Sequence, residues 1–403
     1  MAMRRGSTST DKRESVTVQS LRQANRAQVV TEVVLAGETT RAEVAERAGL
    51  SAASVTKILA DLAVEGLIVD VGMRSSRGGR PITVIAPRPE GAYFVGADVG
   101  ERGVAVELFD LRMTPVDREF RGGQEQESPA AITRDLTEAV AALSERHADI
   151  WPRVRGIGLG LPGVVEGDHG DAQVLYAQSL GWDPVPVAQL VHTELPVFAD
   201  NGAKTLAKAE QWFGAARDVD YALVALLGRG VGLGVVSGGA VQRGWLSSAS
   251  EWGHVKVDAA GRPCRCGGVG CLEAYVGADA ILEQWAERGG RFEGSGWRAI
   301  GALLDAAEAG DESAAAVVEE VVVRLGRAIG SLVNLANPQR VVVGGWVGMR
   351  LMEQLAGRIE DAARANALER LGAQFDMRRA TFGGDTVALG AAIMPLEALI
   401  AGR

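Results

Sequence analysis

Apolar positions recur at helical spacing near the start of the chain. In residues 20–36, Val30, Val33 and Val34 fall on one face of a first helix. The stretch TRAEVAERA (40–48) predicts a second, with Thr40 as N-cap, Glu43 three residues later completing a capping box, and Gly49 as the stop. From about Ser51 to Glu65, Val55, Ile58, Leu59 and Leu62 sit at i, i+3, i+4 and i+7, one face of a third helix that Gly66 ends. The period then shortens. Residues 67–71 and 82–85 read as strands around the polar loop GMRSSRGGRP. Three helices followed by a two-stranded hairpin predict a winged helix-turn-helix over residues 20–86. Residues 1–19 before it are polar, Ser/Thr-rich and charged, and are expected to be disordered.

APRPEG (86–91) reads as a linker. From 92 to 403 the pattern changes to strand-like runs at 93–99, 104–108, 156–159, 196–199, 221–227, 231–236 and 340–343. Helical stretches at 130–146, 202–213 and 314–336 lie between them. Such alternation implies βαβ units and a mixed sheet. There is no short internal repeat. No apolar run approaches the ~20 residues of a membrane span, and the polar, basic N-terminus lacks a signal-peptide core. A cytoplasmic protein is expected.

Charge sharpens this division. The net charge is −9, but residues 1–90 carry 13 Lys+Arg against 10 Asp+Glu, a net of +3, and the other 313 residues carry 29 against 41, a net of −12. A basic head on an acidic body fits a nucleic-acid-binding module attached to something else. In a helix-turn-helix the start of the second helix enters the major groove. Here that start is SAASVTK, whose small residues allow close approach and whose Ser51, Ser54, Thr56 and Lys57 are candidate base or phosphate contacts. Arg77 and Arg80, in RGGRP, suit the narrow minor groove of A·T-rich DNA.

The only cysteines, Cys264, Cys266 and Cys271, lie within eight residues. An odd, tight cluster in a cytoplasmic chain points to metal rather than disulfide. With His254 in EWGHVKVDAAGRPCRCGGVGCLE (251–273), they make the three thiolates and one imidazole of a tetrahedral structural zinc site, one ion per chain. Four protein ligands leave no position for a catalytic water. His147, His169 and His192 are isolated and expected at the surface.

Taken together, the winged head, Asp98-Val99-Gly100, GLGLPGVV (158–165), DNGAKTLAKAEQWFG (200–214), GRGVGLGVVSGGAVQRG (228–244), EWGH, CRCGGVGCLE and VVVGGWV (341–347) resemble the ROK family of bacterial sugar kinases and sugar-responsive repressors. The resemblance covers roughly residues 20–400, and its most specific element is CxCGxxGCxE with the upstream Gly-His. It implies an actin-like, ribonuclease-H-like two-lobed body. It also implies that Asn201, Glu251, His254 and Glu273 contact a sugar, with His254 serving zinc through one ring nitrogen and a hydroxyl through the other. Trp182 and Trp245 offer stacking faces for a sugar, although core or interface roles are the commoner use of tryptophan.

The departures from the kinase pattern matter as much. Family kinases carry a catalytic aspartate in a segment like DNDANAAALAE. In DNGAKTLAKAE that position is Gly202, and Lys204 replaces a second asparagine. Loss of a general base costs about 10²–10⁴ in rate. Asp200 could replace it only by shifting two residues. The phosphate loop reads Asp98-Val99-Gly100-Glu101-Arg102 instead of Asp-x-Gly-Gly-Thr, the second loop Gly228-Arg229-Gly230 instead of Gly-Thr-Gly, and Trp346 stands where a small residue leaves room for adenosine. No kinase activity is expected. The resemblance thus implies a DNA-binding regulator of carbohydrate genes, a repressor whose operator affinity a sugar or sugar derivative modulates from the interlobe cleft. A homodimer or homotetramer on a two-fold double-stranded operator is expected. The alternatives are an ATP-dependent sugar kinase with a regulatory DNA-binding head, and a DNA-binding protein indifferent to sugars.

Overall fold

The computed structural model describes residues 18–75, 81–100, 103–122, 128–167, 172–294, 296–383 and 386–402. They form two compact units, one built from the described part of residues 1–87 with 398–402, the other from 88–397. No helix among the described residues is long and apolar enough to cross a membrane.

The first unit contains α1 (Val18–Ala36), β1 (Thr39–Thr40), α2 (Arg41–Ala48), α3 (Ala52–Val64), β2 (Ile68–Arg74) and β3 (Ile82–Pro87). Val29, Val30, Val33 and Val34 of α1, Val44 and Ala48 of α2, and Val55, Leu59 and Leu62 of α3 form its core, with Ile58 half-buried at the edge. Both caps expected for α2 are present. Thr40 accepts from the Glu43 amide at 3.3 Å, and the Glu43 carboxylate accepts from the Thr40 amide at 2.8 Å. Gly49 closes the helix in the left-handed conformation, φ 61°. The backbone bond from Thr40 leads the influences holding the Glu43 carboxyl below its ordinary value. The sheet runs β1-β3-β2, fully antiparallel. Its first strand is two residues long, too short to show a period, and pairs Thr39 with Ile85 and Thr40 with Val84.

The second unit holds β4 (Tyr93–Gly100), β5 (Gly103–Asp110), β6 (Pro115–Arg121), α4 (Pro129–Arg146), β7 (Val154–Leu161), β8 (Val164–Glu166), β9 (Val174–Tyr176), β10 (Val185–Pro186), β11 (Val197–Asn201) and α5 (Gly202–Phe213). It continues with β12 (Ala222–Leu227), β13 (Val231–Ser237), β14 (Ala240–Val241), α6 (Glu273–Val276), α7 (Ala278–Glu287), α8 (Gly296–Glu308), α9 (Glu312–Ala336), β15 (Arg340–Gly344), α10 (Gly345–Ala365), α11 (Glu369–Gly372), β16 (Asp376–Arg379) and α12 (Thr386–Ile400). Its strands build two five-stranded sheets, ordered β11-β7-β4-β5-β6 and β14-β13-β12-β15-β16. In each, three antiparallel strands (β4 to β6, β12 to β14) are followed by two parallel ones on the other side of the first (β7 and β11, β15 and β16). The topology is duplicated although the sequence carries no short repeat.

Glycine sets how helices meet these sheets. A Cβ at Gly158 of β7 would lie 1.9 Å from the Ala391 carbonyl of α12, and one at Gly96 of β4 would lie 1.9 Å from that of Ala388. On the second sheet, a Cβ at Gly234 of β13 would lie 2.3 Å from Ala207 Cβ of α5. The two helices also meet each other, since a Cβ at Gly390 of α12 would come within 1.8 Å of the Thr205 carbonyl of α5. Real Cβ atoms do not approach backbone this closely, so α5 and α12 cross nearly backbone to backbone between the sheets. The buried Glu210 of α5 ties down the neighbouring loops by accepting from the Ala215 and Thr381 amides at 2.7 and 2.9 Å. Burial pushes its carboxyl up, and the amide bonds oppose that rise.

Gly390→Ala is therefore expected to cost more than about 3 kcal/mol. Gly357→Ala in α10, where a Cβ would meet nothing within 4 Å, should instead be neutral or stabilising by up to about 1 kcal/mol. Chemical denaturation of the two variants tests the contrast, and equal losses would contradict the crossing geometry.

Candidate functional site: an interlobe cleft beside a cysteine–histidine cluster

Helix α5 begins where β11 ends, and its N-cap is Asn201. The Asn201 side chain accepts from the Ala203 amide at 2.8 Å and donates to the Gly163 carbonyl at 2.7 Å. It thereby joins the helix start to the loop after β7. This junction borders a cleft of about 690 Å³, within the range of small-molecule sites. Asn201, Glu251, His254 and Glu273, the residues implied as sugar contacts, all line it. So do Gly202, Asp98, Gly100, Gly228, Arg229 and Trp346 from the altered kinase motifs. Glu101 and Arg102 lie outside the described residues.

The carboxylates differ in how they are held. Glu273, the first residue of α6, accepts from the Val231 amide at 3.0 Å, and its other oxygen lies 3.8 Å from Cys264 Sγ. It supports the cysteine loop as well as facing the cleft. Glu251 is exposed where it lines the cleft, yet partial burial of its carboxyl pushes it up, opposed by His254 and Lys204. Asp200 does not line the cleft. It is buried, accepts from the Asn201 amide at 2.8 Å and forms an ion pair with Arg243 at 3.3 Å.

Lys204 stands out. It is 2% exposed, and its ammonium donates to the Ser247 carbonyl. Burial pushes its pKa down while Asp200 and Glu251 pull it back up. The Ser247 loop is strained, with Leu246, Ser247 and Ser250 at φ 54°, 63° and 75°. Left-handed conformations cost non-glycine residues roughly 1–2 kcal/mol each. Lys204, the Arg243–Asp200 pair and a 3.3 Å bond from Ser248 Oγ to Glu166 hold the loop in place. The sequence flagged Lys204 only as a missing asparagine. That its charge is buried depends on which face of α5 meets the loop, which is a tertiary matter. Trp245 on this loop is 85% exposed, while Trp182 packs against the first lobe's core.

The ligand atoms of His254, Cys264, Cys266 and Cys271 all lie within 4.8 Å of one another. Cys264 Sγ is 3.7 Å from His254 Nδ1, and Cys266 Sγ is 3.7 Å from Cys271 Sγ. A disulfide needs about 2.05 Å. Metal–thiolate bonds of about 2.3 Å in a tetrahedron give edges of about 3.8 Å. The four residues could therefore hold a metal ion, and the donor set suits zinc. Burial pushes the metal-free Cys264 thiol up to about 12, so loading the site must release protons. Lys256, which the sequence reading missed, lies two residues after His254. Its ammonium donates to Cys271 Sγ at 2.9 Å, placing a positive charge beside the three sulfurs.

In the first unit, Ser51 is the N-cap of α3, accepting from the Ser54 amide at 3.2 Å. Ser51, Ser54, Thr56 and Lys57 are all exposed, whereas Val55, Leu59 and Leu62 are buried. Arg77 and Arg80 lie outside the described residues, as does His169. His192 is exposed. His147 is half-buried, its Nε2 2.8 Å from Asp117 Oδ2, so it belongs to a local ion-pair group rather than to open surface.

A Cβ built on Gly202 would meet nothing closer than Leu226 Cδ2 at 3.7 Å. The position where the family pattern carries its base is thus open rather than sterically closed. Gly202→Ala should change the unfolding free energy by less than about 1 kcal/mol, as read by denaturant titration. A larger loss would mean that packing, not chemistry, requires glycine there.

The ROK family model matches residues 94–398. The chain is 30% identical over 337 residues to the DNA-binding transcriptional dual regulator NagC of Escherichia coli K12, covering 81% of this chain and 82% of that protein. It is 31% identical over 310 residues to a glucokinase of Halalkalibacterium halodurans, covering 74% of this chain and 93% of the kinase. Among solved structures, a ROK family transcriptional regulator described as a homolog of the E. coli MLC protein superimposes with a TM-score of 0.77 at 25% identity, covering 94% of this chain and 97% of that one. The second unit therefore has the actin-like, sugar-kinase-like fold that the resemblance implied.

Proposed function

The chain belongs to the ROK family, and we propose that it is a cytoplasmic, sequence-specific DNA-binding transcriptional regulator, a repressor of carbohydrate genes whose operator affinity is set by a sugar or sugar derivative in the interlobe cleft. The observation that carries this reading is Gly202. It opens α5 at the wall of the cleft, where a kinase needs a carboxylate to take the hydroxyl proton, while Asn201, Glu251, His254 and Glu273 around it remain. Asp200 is a poor substitute because it is buried against Arg243 and off the cleft. A site with hydroxyl acceptors and no base suits binding without turnover.

The first unit supplies the output. We read α2, the turn through Gly49 and α3 as the helix-turn-helix, β2 and β3 as the wing, and Ser51, Ser54, Thr56 and Lys57 as the major-groove edge. Arg77 and Arg80 would reach the minor groove from the wing. In a homodimer or homotetramer, two heads meet a two-fold operator. An effector with unequal affinity for the DNA-competent and incompetent states then shifts their populations. His254, Cys264, Cys266 and Cys271 hold one structural zinc, which fixes the loop carrying His254 and the start of α6 at Glu273.

The deciding experiment selects genomic fragments with the purified protein at fixed, near-physiological salt, alongside a coupled ATP assay with common sugars. Enrichment of a two-fold motif near sugar transport or catabolic genes, with no ATP turnover, supports the regulator. Turnover at ordinary kinase rates would favour an ATP-dependent sugar kinase with a regulatory head.

Lys57→Ala should weaken operator binding uniformly across sequences and reduce the slope of log affinity against log salt by about 1. Arg77→Ala with Arg80→Ala should cost most on operators with A·T-rich flanks. Unchanged affinity in both cases would remove these residues from the interface. Elemental analysis should find about one zinc per chain. Cys266→Ser should release it and lower the melting temperature, and a folded wild-type protein without zinc would overturn the assignment.

A further inference from the structure

The cleft is larger than one sugar requires. A pyranose with its hydroxyls has the bulk of about six waters, roughly 180 Å³ at about 30 Å³ each, and the cleft measures about 690 Å³. Its lining falls into two groups. Asn201, Glu251, His254 and Glu273 form a polar end. The other end is formed by Gly228, Gly345 and Trp346, where a Cβ on Gly228 would lie 3.2 Å from the Trp346 Nε1 atom, so the indole edge rests on the glycine loop. The ends are continuous. A Cβ on Gly202 would lie 3.7 Å from Leu226 Cδ2 and one on Gly345 would lie 2.8 Å from Leu226 Cδ1, so both glycines border the same leucine and no side chain rises at Gly202.

The second end is poorly suited to a nucleotide. Of the three arginines in the lining, Arg229 Nε donates to Asp279 at 2.6 Å and Arg118 pairs with Glu107 at 3.5 Å, which commits those guanidinium edges to the protein, and Arg265 is the third. Asp98, also in the lining, adds an acceptor and negative charge. A neutral, hydroxyl-rich group fits this chemistry better. A pyranose has apolar C–H faces and a polar rim, and an indole can cover such a face while carboxylates accept from the rim.

We propose, resting on the effector reading above, that the ligand is a disaccharide spanning the cleft, with one ring held by Asn201, Glu251 and Glu273 and the second seated against Trp346. Gly202 then has a positive role. It leaves the passage between the subsites open, where a carboxylate would narrow it and add charge.

The test is calorimetric titration of the full-length protein with glucose, xylose and N-acetylglucosamine, and with cellobiose, maltose, xylobiose and N,N′-diacetylchitobiose. AMP-PNP is titrated separately. At least one disaccharide should bind tenfold or more tightly than its own monosaccharide. Trp346→Ala should reduce that ratio to near one while leaving the monosaccharide affinity within about twofold. If Trp346→Ala does not fold, Trp346→Leu, which keeps bulk without an aromatic face, should also lose most of the ratio. Monosaccharide binding with no disaccharide preference, a preference insensitive to both variants, or AMP-PNP binding that the best disaccharide leaves intact would each overturn the disaccharide assignment while leaving the sugar-effector reading intact. Failure of every saccharide to bind would overturn both.

Discussion

The crossing of α5 over α12 is the contact on which the rest of the second unit depends. At Gly390 and Thr205 the helices meet almost backbone to backbone, and each lies in a glycine track on a different sheet, α12 on Gly96 and Gly158, α5 on Gly234. Close-packed interiors tolerate little displacement, so this junction fixes the depth at which the first turn of α5 emerges between the lobes. Asn201 and Gly202 are that first turn. The chemistry of the cleft is thereby set by a packing constraint made of residues that have no chemistry.

Around the emerging helix end, the protein keeps several charges away from bulk water. Asp200, Lys204 and Arg243 are tied to one another or to backbone carbonyls, and Glu251 sits at the edge of the same group. Buried charges that lose a partner are costly. This group therefore holds the strained loop at Leu246 to Ser250 on one side and the start of α5 on the other. The cysteine–histidine cluster anchors the next stretch of the same chain, so the residues from Arg243 to Glu273 follow a path fixed at both ends. A ligand that bridges Asn201 and Glu251 would touch both anchored segments. That is the physical basis on which binding in the cleft could bias an arrangement of lobes.

The relatives show that one body serves both a glucokinase and transcriptional regulators. Fold alone does not separate the two, because function resides in the site. On the function proposed above, a few atoms at the cleft wall would separate them. At Gly202 a Cβ would meet only ordinary contacts, so packing does not require the glycine there. Asn201, Glu251 and Glu273 line the same cleft.

Local chemistry made much of this readable from sequence. The capping box at Thr40 and Glu43, the stop at Gly49 and the Val55–Leu59–Leu62 stripe are short-range interactions written within a few residues. The cluster of His254, Cys264, Cys266 and Cys271 was legible as a candidate metal site because thiols and an imidazole at that spacing have few other uses. Four residues from motifs up to 72 positions apart (Asn201 to Glu273) were assigned to one cleft only through the family resemblance. The sequence was silent on other points. Strand β1 is too short to have a period, and the duplicated sheet topology leaves no repeat because strand order is a property of long-range pairing. The burial of Lys204 and the placement of Lys256 beside Cys271 arise where distant segments meet. Whether Gly202 was an opening or a packing requirement also lay beyond sequence. A glycine in a string reports only the absence of a side chain, and the neighbours that decide its meaning, Leu226 and Val387, are brought there by the tertiary fold.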